Sequence, residues 1–518
     1  MDRKRAGERQ DSARPEYNHW LTTGDIAKDW KWSTMTVQTL LDEIRNRPGT
    51  GDLIPIVNPV TEEQITEFTD CGAEAVDKAV ARAKTAFEAG VWSELPGRAR
   101  AKIMWRIADL IDEHAEELAQ IDALNTGMPL RQARMGLPNC AEFFRYYAGW
   151  CTKLGGTAFD VKTAGIASDT WVDMHAYTLK EPYGVVGLIF PWNGPVFNAC
   201  TKIAPALAAG CSMVVKPAEE TPLSALLLIR LIAEAGVPNG VVNLVTGYGH
   251  TAGAAITAHP DVDKVAFTGS TEVGKAIVRA SAGNLKKVAL ELGGKSPVLI
   301  YDDADLKKAI VTAAMGIFVH SGQGCVCGSR IFVQRGVYDQ VVDGVAGVAN
   351  NMKLGGPNEK GSMSGPLISA KQLTRVMGFI DEGKSDGVDV VTGGYRLDRK
   401  GYFVHPTVLT NVDRDMRLYQ EEIFGPVVTI LPFDDDNEAV ALANDTTYGL
   451  AATAWTNDLS RAHRLGKRLQ AGTVTVNCQL VFDHAVPFGG YKQSGWGHEF
   501  GQEGIEAYLK TKSVWAQL

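Results

Sequence analysis

No stretch of the 518-residue chain reaches the run of about 18 uninterrupted apolar residues that a membrane-spanning helix needs. Residues 1–20 carry charges of both signs and lack the apolar core of a secretory leader. Asp2, Glu8 and Asp11 also argue against an organelle transit peptide. A basic excess is missing: 52 Lys and Arg stand against 60 Asp and Glu, for a net charge of −8, which argues against a nucleic-acid partner. Cysteines at zinc-ligand spacing are missing too. Of the eight, at positions 71, 140, 151, 200, 211, 325, 327 and 478, only Cys325 and Cys327 are close, as C-x-C with no second Cys or His pair nearby. No metal is expected, and the scattered thiols read as those of a reduced, cytoplasmic protein. Internal repeats and low-complexity blocks are absent.

What remains is an ordinary globular composition, 45% hydrophobic and 22% charged, long enough for about two to four domains. Residues 1–33 read as a weakly ordered polar tail, and 36–45 as a short helix. Ala73–Gly90 has helical spacing and a glycine stop, and Arg98 to about Thr126 reads as one long helix. From Tyr183 the pattern alternates. Strand-length apolar runs at 185–190, 212–216, 241–245, 264–268 and 287–292 are separated by helix-like stretches near 195–209, 221–236, 249–258 and 272–281. That alternation predicts a parallel sheet wound with helices, whose ligands sit where strands end and helices begin. A second α/β region follows Gly293, with strands near 329–333, 427–432, 450–455 and 472–476. Segments 163–181 and 506–518 fit neither sheet and read as stray strands, free to pair with each other or with another subunit.

Several strand ends carry candidate chemistry. Gly269-Ser270-Thr271-Glu272-Val273-Gly274-Lys275 matches the start of a phosphate-binding P-loop, but Ala276 stands where a magnesium-binding Ser or Thr is required. The helix it opens can still receive a pyrophosphate, so a dinucleotide site is the better reading and a P-loop phosphotransferase the poorer one. Gly247-Tyr248-Gly249 through Gly253 is spaced wrongly for G-x-G-x-x-G and reads as a plain turn. Cys325, flanked by glycines in Gly322-Gln323-Gly324-Cys325, is either a reachable nucleophile or a buried thiol. Glu291, between Leu290 and Leu292, is either a paired structural carboxylate or a base with a raised pKa. Asn193 in Pro191-Trp192-Asn193 could cap the next helix or donate to an oxyanion. Lys216 and Glu219 place a cation and an anion at the end of the next strand.

In this order, Asn193, Lys216, Glu219, the Gly269–Gly274 loop, Glu291, Cys325, Glu422-Ile423-Phe424-Gly425-Pro426 and Pro487-Phe488-Gly489-Gly490-Tyr491-Lys492 strongly resemble the aldehyde dehydrogenase superfamily. The resemblance runs from about Ile54 to the C-terminus, and the 34-residue step from Glu291 to Cys325 is part of it. It implies an aldehyde dehydrogenase-like α/β fold with a Rossmann-type cofactor domain (34–162 and 182–293), an α/β catalytic domain (294–492) and a small β oligomerisation arm (163–181 and 493–518). The C-terminal strand would complete a neighbour's sheet in a homodimer or homotetramer. The family's opening strand pair near Asn58-Pro59 is expected to be replaced here by the polar tail and helix. The resemblance makes Cys325 the nucleophile, Asn193 an oxyanion donor and Glu291 the base for hydrolysis of a thioester. NAD, favoured over NADP, would lie against Pro191, Trp192, Lys216, Glu219, Gly249, Gly269, Ser270, Gly274, Leu292, Glu422 and Phe424. The substrate tunnel would include Gly194, Phe197, Asn198, Thr201, Val319, His320, Leu480, Phe482 and Phe488. With no Arg among these residues and Phe197 and Phe482 present, a bulky or aromatic aldehyde is expected. A coenzyme-A-acylating relative is the alternative, opposed by the presence of Glu291.

Overall fold

The computed structural model describes residues 39–42, 51–164 and 171–517. The expected tail 1–33 lies outside them, and of the expected helix 36–45 only residues 39–42 are described, as helix. The chain opens with an antiparallel hairpin of β1 (Leu53–Val57) and β2 (Gln64–Thr69) around Asn58-Pro59. This corrects the expectation that the strand pair is missing. Its short alternation, with Ile54, Ile56 and Phe68 buried, was hidden by the polar turn between the strands.

Four helices follow, at Gly72–Glu88, Gly97–Glu113, Ala115–Thr126 and Leu130–Ala148. The single helix expected over Arg98–Thr126 is therefore two. The backbone leaves helical geometry at His114 (φ −107°, ψ 20°), and the second segment turns Asp122, Asn125 and Thr126 inward. Strands β3 (Ala158–Ala164) and β4 (Trp171–Pro182) then form an arm.

The first large sheet uses β5 (Val185–Phe190), β6 (Ser212–Pro217), β7 (Val242–Leu244), β8 (Lys264–Thr268) and β9 (Lys287–Glu291), all parallel. Every residue of β5 and β6 is buried, as expected of parallel strands covered on both faces. The Gly247–Gly253 segment is not a plain turn: it winds as a π-turn over Gly249–Gly253 and continues into the helix Ala254–Ala258. The second sheet contains β10 (Pro297–Ile300), β11 (Arg330–Gln334), β12 (Asp389–Thr392), β13 (Thr407–Thr410), β14 (Val427–Phe433), β16 (Ala451–Trp455) and β17 (Thr473–Val476). Its order is β12-β13-β14-β11-β10-β16-β17. A two-stranded ladder joins β15 (Tyr448–Gly449) to β18 (Tyr491–Lys492).

The chain then returns. β19 (Gly495–Trp496) adds antiparallel to β9, giving the first sheet the order β19-β9-β8-β5-β6-β7. β20 (Leu509–Gln517) pairs antiparallel with β4 of its own chain, from Leu509↔Pro182 to Gln517↔Met174. β20 is thus an edge strand of a three-stranded sheet ordered β20-β4-β3. The helix Gly501–Glu506 delivers the strand beside β4, where Lys512 pairs with Glu181. Within residues 493–517, β19 thus belongs to the first sheet and β20 to the arm. Among the described residues no helix is long and apolar enough to cross a membrane.

In the first sheet the strands β5, β6 and β7 step one way, while β8 and β9 lie on the other side of β5. The carboxyl ends of β5 and β8 flank that reversal, where open α/β sheets form their ligand crevice.

Candidate active site

The crevice is built from strand ends. β5 runs into Pro191-Trp192-Asn193, and Gly194 then leads into the helix Pro195–Ala209. β6 ends at Lys216 and Pro217; the buried Lys216 ammonium donates to the Pro217 carbonyl (2.9 Å) and lies 3.4 Å from the Glu219 carboxylate. The π-turn backs onto it, since a Cβ at Gly253 would lie 3.7 Å from Lys216 Cδ. β8 ends at Gly269-Ser270, where Ser270 Oγ accepts from Val273 N and caps the helix Thr271–Ser281. Gly274 in that helix packs on Leu292: a Cβ there would lie 2.7 Å from the Leu292 side chain, so the helix can lie this close only as glycine. Lys216, Glu219, Ser270 and the helix N-terminus thus offer a cation, a hydroxyl-binding carboxylate and free N–H groups along one wall.

Facing this wall are two loops of the second sheet. Glu422, half-buried between them, accepts from Gly294 N (2.9 Å); desolvation pushes its carboxyl up to about 7, with the Gly294 N–H and Lys295 opposing. Phe424 holds a left-handed φ of 58°, and its ring meets Trp192 edge-on at 5.2 Å. The Cys325 loop passes so close that a Cβ at Gly294 would sit 2.3 Å from Cys325 O. Arg330 pins the same place from behind: buried, it donates to the carbonyls of Lys295, Leu442, Ala443 and Asp445.

Cys325 is partly accessible, yet the atoms around it push its thiol far up, by burial first and then by Glu422, Glu291 and Cys327. Cys327 is buried, and its thiol is pushed up to about 12. Glu291 ends β9 at 5% exposure, and its Oε2 has no hydrogen-bond partner. Burial raises its pKa well above the carboxylate range, the Glu499 carboxylate adds to the rise, and Lys202 opposes it. Lys202 donates to Thr268 Oγ1 (2.7 Å) and contacts Glu499, so a buried ammonium and a second carboxylate stand beside Glu291. Asn193 Nδ2 donates to Gln323 O (2.9 Å), its Oδ1 is buried without a partner, and His320 Nε2 lies 2.7 Å from Asn193 O.

Comparison with known proteins decides the family. Residues 47–514 match the aldehyde dehydrogenase family. The chain belongs to the aldehyde dehydrogenase family. It is 47% identical over 471 residues to the Bacillus subtilis protein DhaS, covering 91% of this chain and 93% of that one. It is 45% identical over 468 residues to a mitochondrial benzaldehyde dehydrogenase of Antirrhinum majus, covering 90% and 86%. Among solved structures, the NAD+ complex of a Bacillus cereus aldehyde dehydrogenase superposes with a TM-score of 0.89 at 46% identity, covering 93% of this chain and 98% of that one. The fold is accordingly that of the family, and the chain is an oxidoreductase of the aldehyde-oxidising class.

In this aldehyde dehydrogenase, the expected tunnel residues are partly gathered. Phe482 meets Phe488 at 5.8 Å and Phe500 at 6.4 Å, and Phe197 meets Phe143 at 5.5 Å. Phe143 and Phe500 join these rings into one cluster at 5.0 Å. Neither was picked out from the sequence, because each comes from a distant element. Asn198 turns its amide onto Gly194 O, and Thr201 is 1% exposed with its hydroxyl on Asn198 O, so both face the helix backbone. Val319 immediately precedes His320, and Leu480 lies at the exposed rim. Gly249 opens the π-turn behind Lys216.

Lys202 and Glu499 were also missed from the sequence. The readable signal was Lys202 itself, the sole charged residue of a mostly apolar helix. The tight crossing at Gly294 is testable. Gly294→Ala is expected to fold but to lower kcat about tenfold or more, because displacing the Cys325 carbonyl misaligns the loop. Unchanged initial rates in the purified variant would show that the close approach is not needed.

Proposed function

We propose that this aldehyde dehydrogenase oxidises an aldehyde to a carboxylic acid with NAD, through a thiohemiacetal and then a thioester on Cys325. The observation that carries the reading is Glu291: a buried carboxyl with an unpartnered oxygen, beside Lys202 and Glu499. Cys325 attacks the aldehyde carbon as thiolate, its proton leaving to the site. The oxyanion formed lies against the remaining Asn193 amide hydrogen and the Cys325 N–H. When bound, NAD supplies the hydride acceptor that converts the adduct to a thioester. Lys216 and Glu219 are suited to the adenosine ribose, Glu422 to the second ribose, and Trp192 with Phe424 to the ring beside it. Pro191, Gly269, Gly274, Leu292 and Gly249 shape the backbone that carries these contacts. Glu291 then removes a proton from water as it attacks the thioester, releasing the acid and restoring the thiol.

Cys325→Ala should abolish NADH formation while NAD binding persists, whereas Cys327→Ala should keep most activity. Equal loss in both would overturn the assignment of the nucleophile. Glu291→Gln should give a burst of NADH followed by slow turnover. Because the raised pKa keeps Glu291 protonated to higher pH, its action as a base appears as pH rises through that value. Deacylation in the unmodified protein should therefore accelerate toward alkaline pH, and Glu291→Gln should flatten that rise. Normal turnover by the Gln variant would exclude Glu291 as the base.

We propose a bulky or aromatic aldehyde as substrate. The support is the cluster of Phe143, Phe197, Phe482, Phe488 and Phe500, the absence of Arg among the expected tunnel residues, and the name of the benzaldehyde dehydrogenase relative. Initial rates across short aliphatic, long aliphatic, aromatic and carboxylated aldehydes, each with NAD and NADP, test both preferences. Aromatic aldehydes with NAD should give the highest kcat/KM, since Glu219 repels a 2′-phosphate. Equal or better rates with NADP, or with carboxylated substrates, would contradict this.

A cytoplasmic setting fits eight unpaired cysteines. We further propose a homodimer or homotetramer joined through the arm, which exposes Phe159, Trp171, Leu179 and Trp515. Light scattering should give a multiple of 55.9 kDa; the single-chain mass at micromolar concentration would reject it.

A further inference from the structure

Asn193 stands one residue outside the helix Pro195–Ala209. The carbonyl of Gly194 accepts the first helical hydrogen bond, from Asn198 N. The Asn193 carbonyl therefore lies outside the helical ladder and needs a donor from elsewhere. His320 Nε2 fills that role at 2.7 Å. A carbonyl at this distance requires that Nε2 carry the proton.

His320 reaches Asn193 from a costly conformation. His320 and Ser321 are successive left-handed residues, at φ 56° and 54°. Side chains rarely adopt such a pair unless the surroundings impose it. Here they do. Ser321 N donates to Ser364 Oγ (3.0 Å), Ser321 Oγ to Gly365 O (2.5 Å) and Ser364 Oγ to Phe318 O (2.8 Å). Gln323 N closes the turn on His320 O (3.1 Å). Two residues past Gln323 is Cys325, and Gln323 O is itself the acceptor for Asn193 Nδ2. Asn193 is thus tied at its backbone and at its side chain to one strained turn, and that turn runs straight into the Cys325 loop.

We propose that His320 is a positioning residue, which locks the Asn193 backbone so that the carboxamide hydrogen left over from Gln323 points at the oxygen of the reacting aldehyde. This rests on the proposed roles of Asn193 and Cys325. The clamp makes the oxyanion donor and the nucleophile move as one unit. Without it the Asn193 peptide rotates, the Gln323 bond loosens and the donor is no longer held in place before the charge develops.

The test compares His320→Gln, His320→Leu and His320→Gly with the unmodified full-length protein. Gln can return an N–H to the Asn193 carbonyl; Leu keeps the bulk and the strain; Gly removes the side chain and relaxes the strain. The Leu and Gly variants should lose about ten- to a hundredfold in kcat with the KM for NAD within twofold. Both should show a larger primary isotope effect with aldehyde deuterated at C1, as hydride transfer becomes limiting. The Gln variant should recover most of the rate. Unchanged kcat and isotope effect in Leu and Gly would overturn the inference, as would equal loss in all three. If the unmodified protein forms no NADH that depends on Cys325, it is the reading of the site that fails, and the two failures are told apart by that control.

Discussion

Two glycines set how closely the halves of this enzyme approach. At Gly293 a Cβ would lie 2.4 Å from Glu422 Oε2, and at Gly294 it would lie 2.3 Å from Cys325 O. Any side chain there would push the second-sheet loops away from the end of β9. Because neither glycine carries one, Gly294 N can donate to Glu422, and Glu291, two residues upstream of Gly293, shares a wall with the Cys325 loop. The next residue extends the same contact: the Lys295 carbonyl accepts from Arg330, which begins β11 just beyond Cys327. The passage Glu291–Lys295 thus relates the candidate base, the candidate nucleophile and the candidate ribose-binding carboxylate.

That closeness buries these groups, and burial is the largest influence on the charge of each. Glu291, Cys325 and Cys327 are pushed toward their protonated forms, while Lys295 is pushed down to about 7, by burial and then by Arg330. Thiolate and carboxylate are therefore the costly states, which suits a site where each is wanted for a single step. Lys202 and Glu499 act on Glu291 in opposite directions, the ammonium lowering the cost of its charged form and the carboxylate adding to it. Their pairing spans 297 residues of sequence and depends on β19 bringing the chain back to β9.

Most of the framework was readable because its strands are buried on both faces. The runs 185–190, 212–216, 264–268 and 287–292 stand as β5, β6, β8 and β9 within a residue at each end. The loops singled out for chemistry lie at their carboxyl ends. What escaped reading was either short or non-local. β10 is four residues long and starts with proline, so Pro297-Val298-Leu299-Ile300 gave no strand-length run, although it is a central strand. The break at His114 interrupts helical geometry without a Gly or Pro to mark it. The aromatic cluster draws Phe143 from an early helix and Phe500 from the cap of the last helix, so only the fold brings them together.

The proposed reaction requires that one thiol, Cys325, carry the acyl group. The direct measurement is peptide mass spectrometry on the Glu291→Gln protein, acid-quenched during turnover of an aromatic aldehyde with NAD. The mass of the acyl group is expected on Cys325, with Cys327 unmodified, and only when NAD is present. An acyl group on Cys327 or on no cysteine, while NADH is still formed, would contradict it.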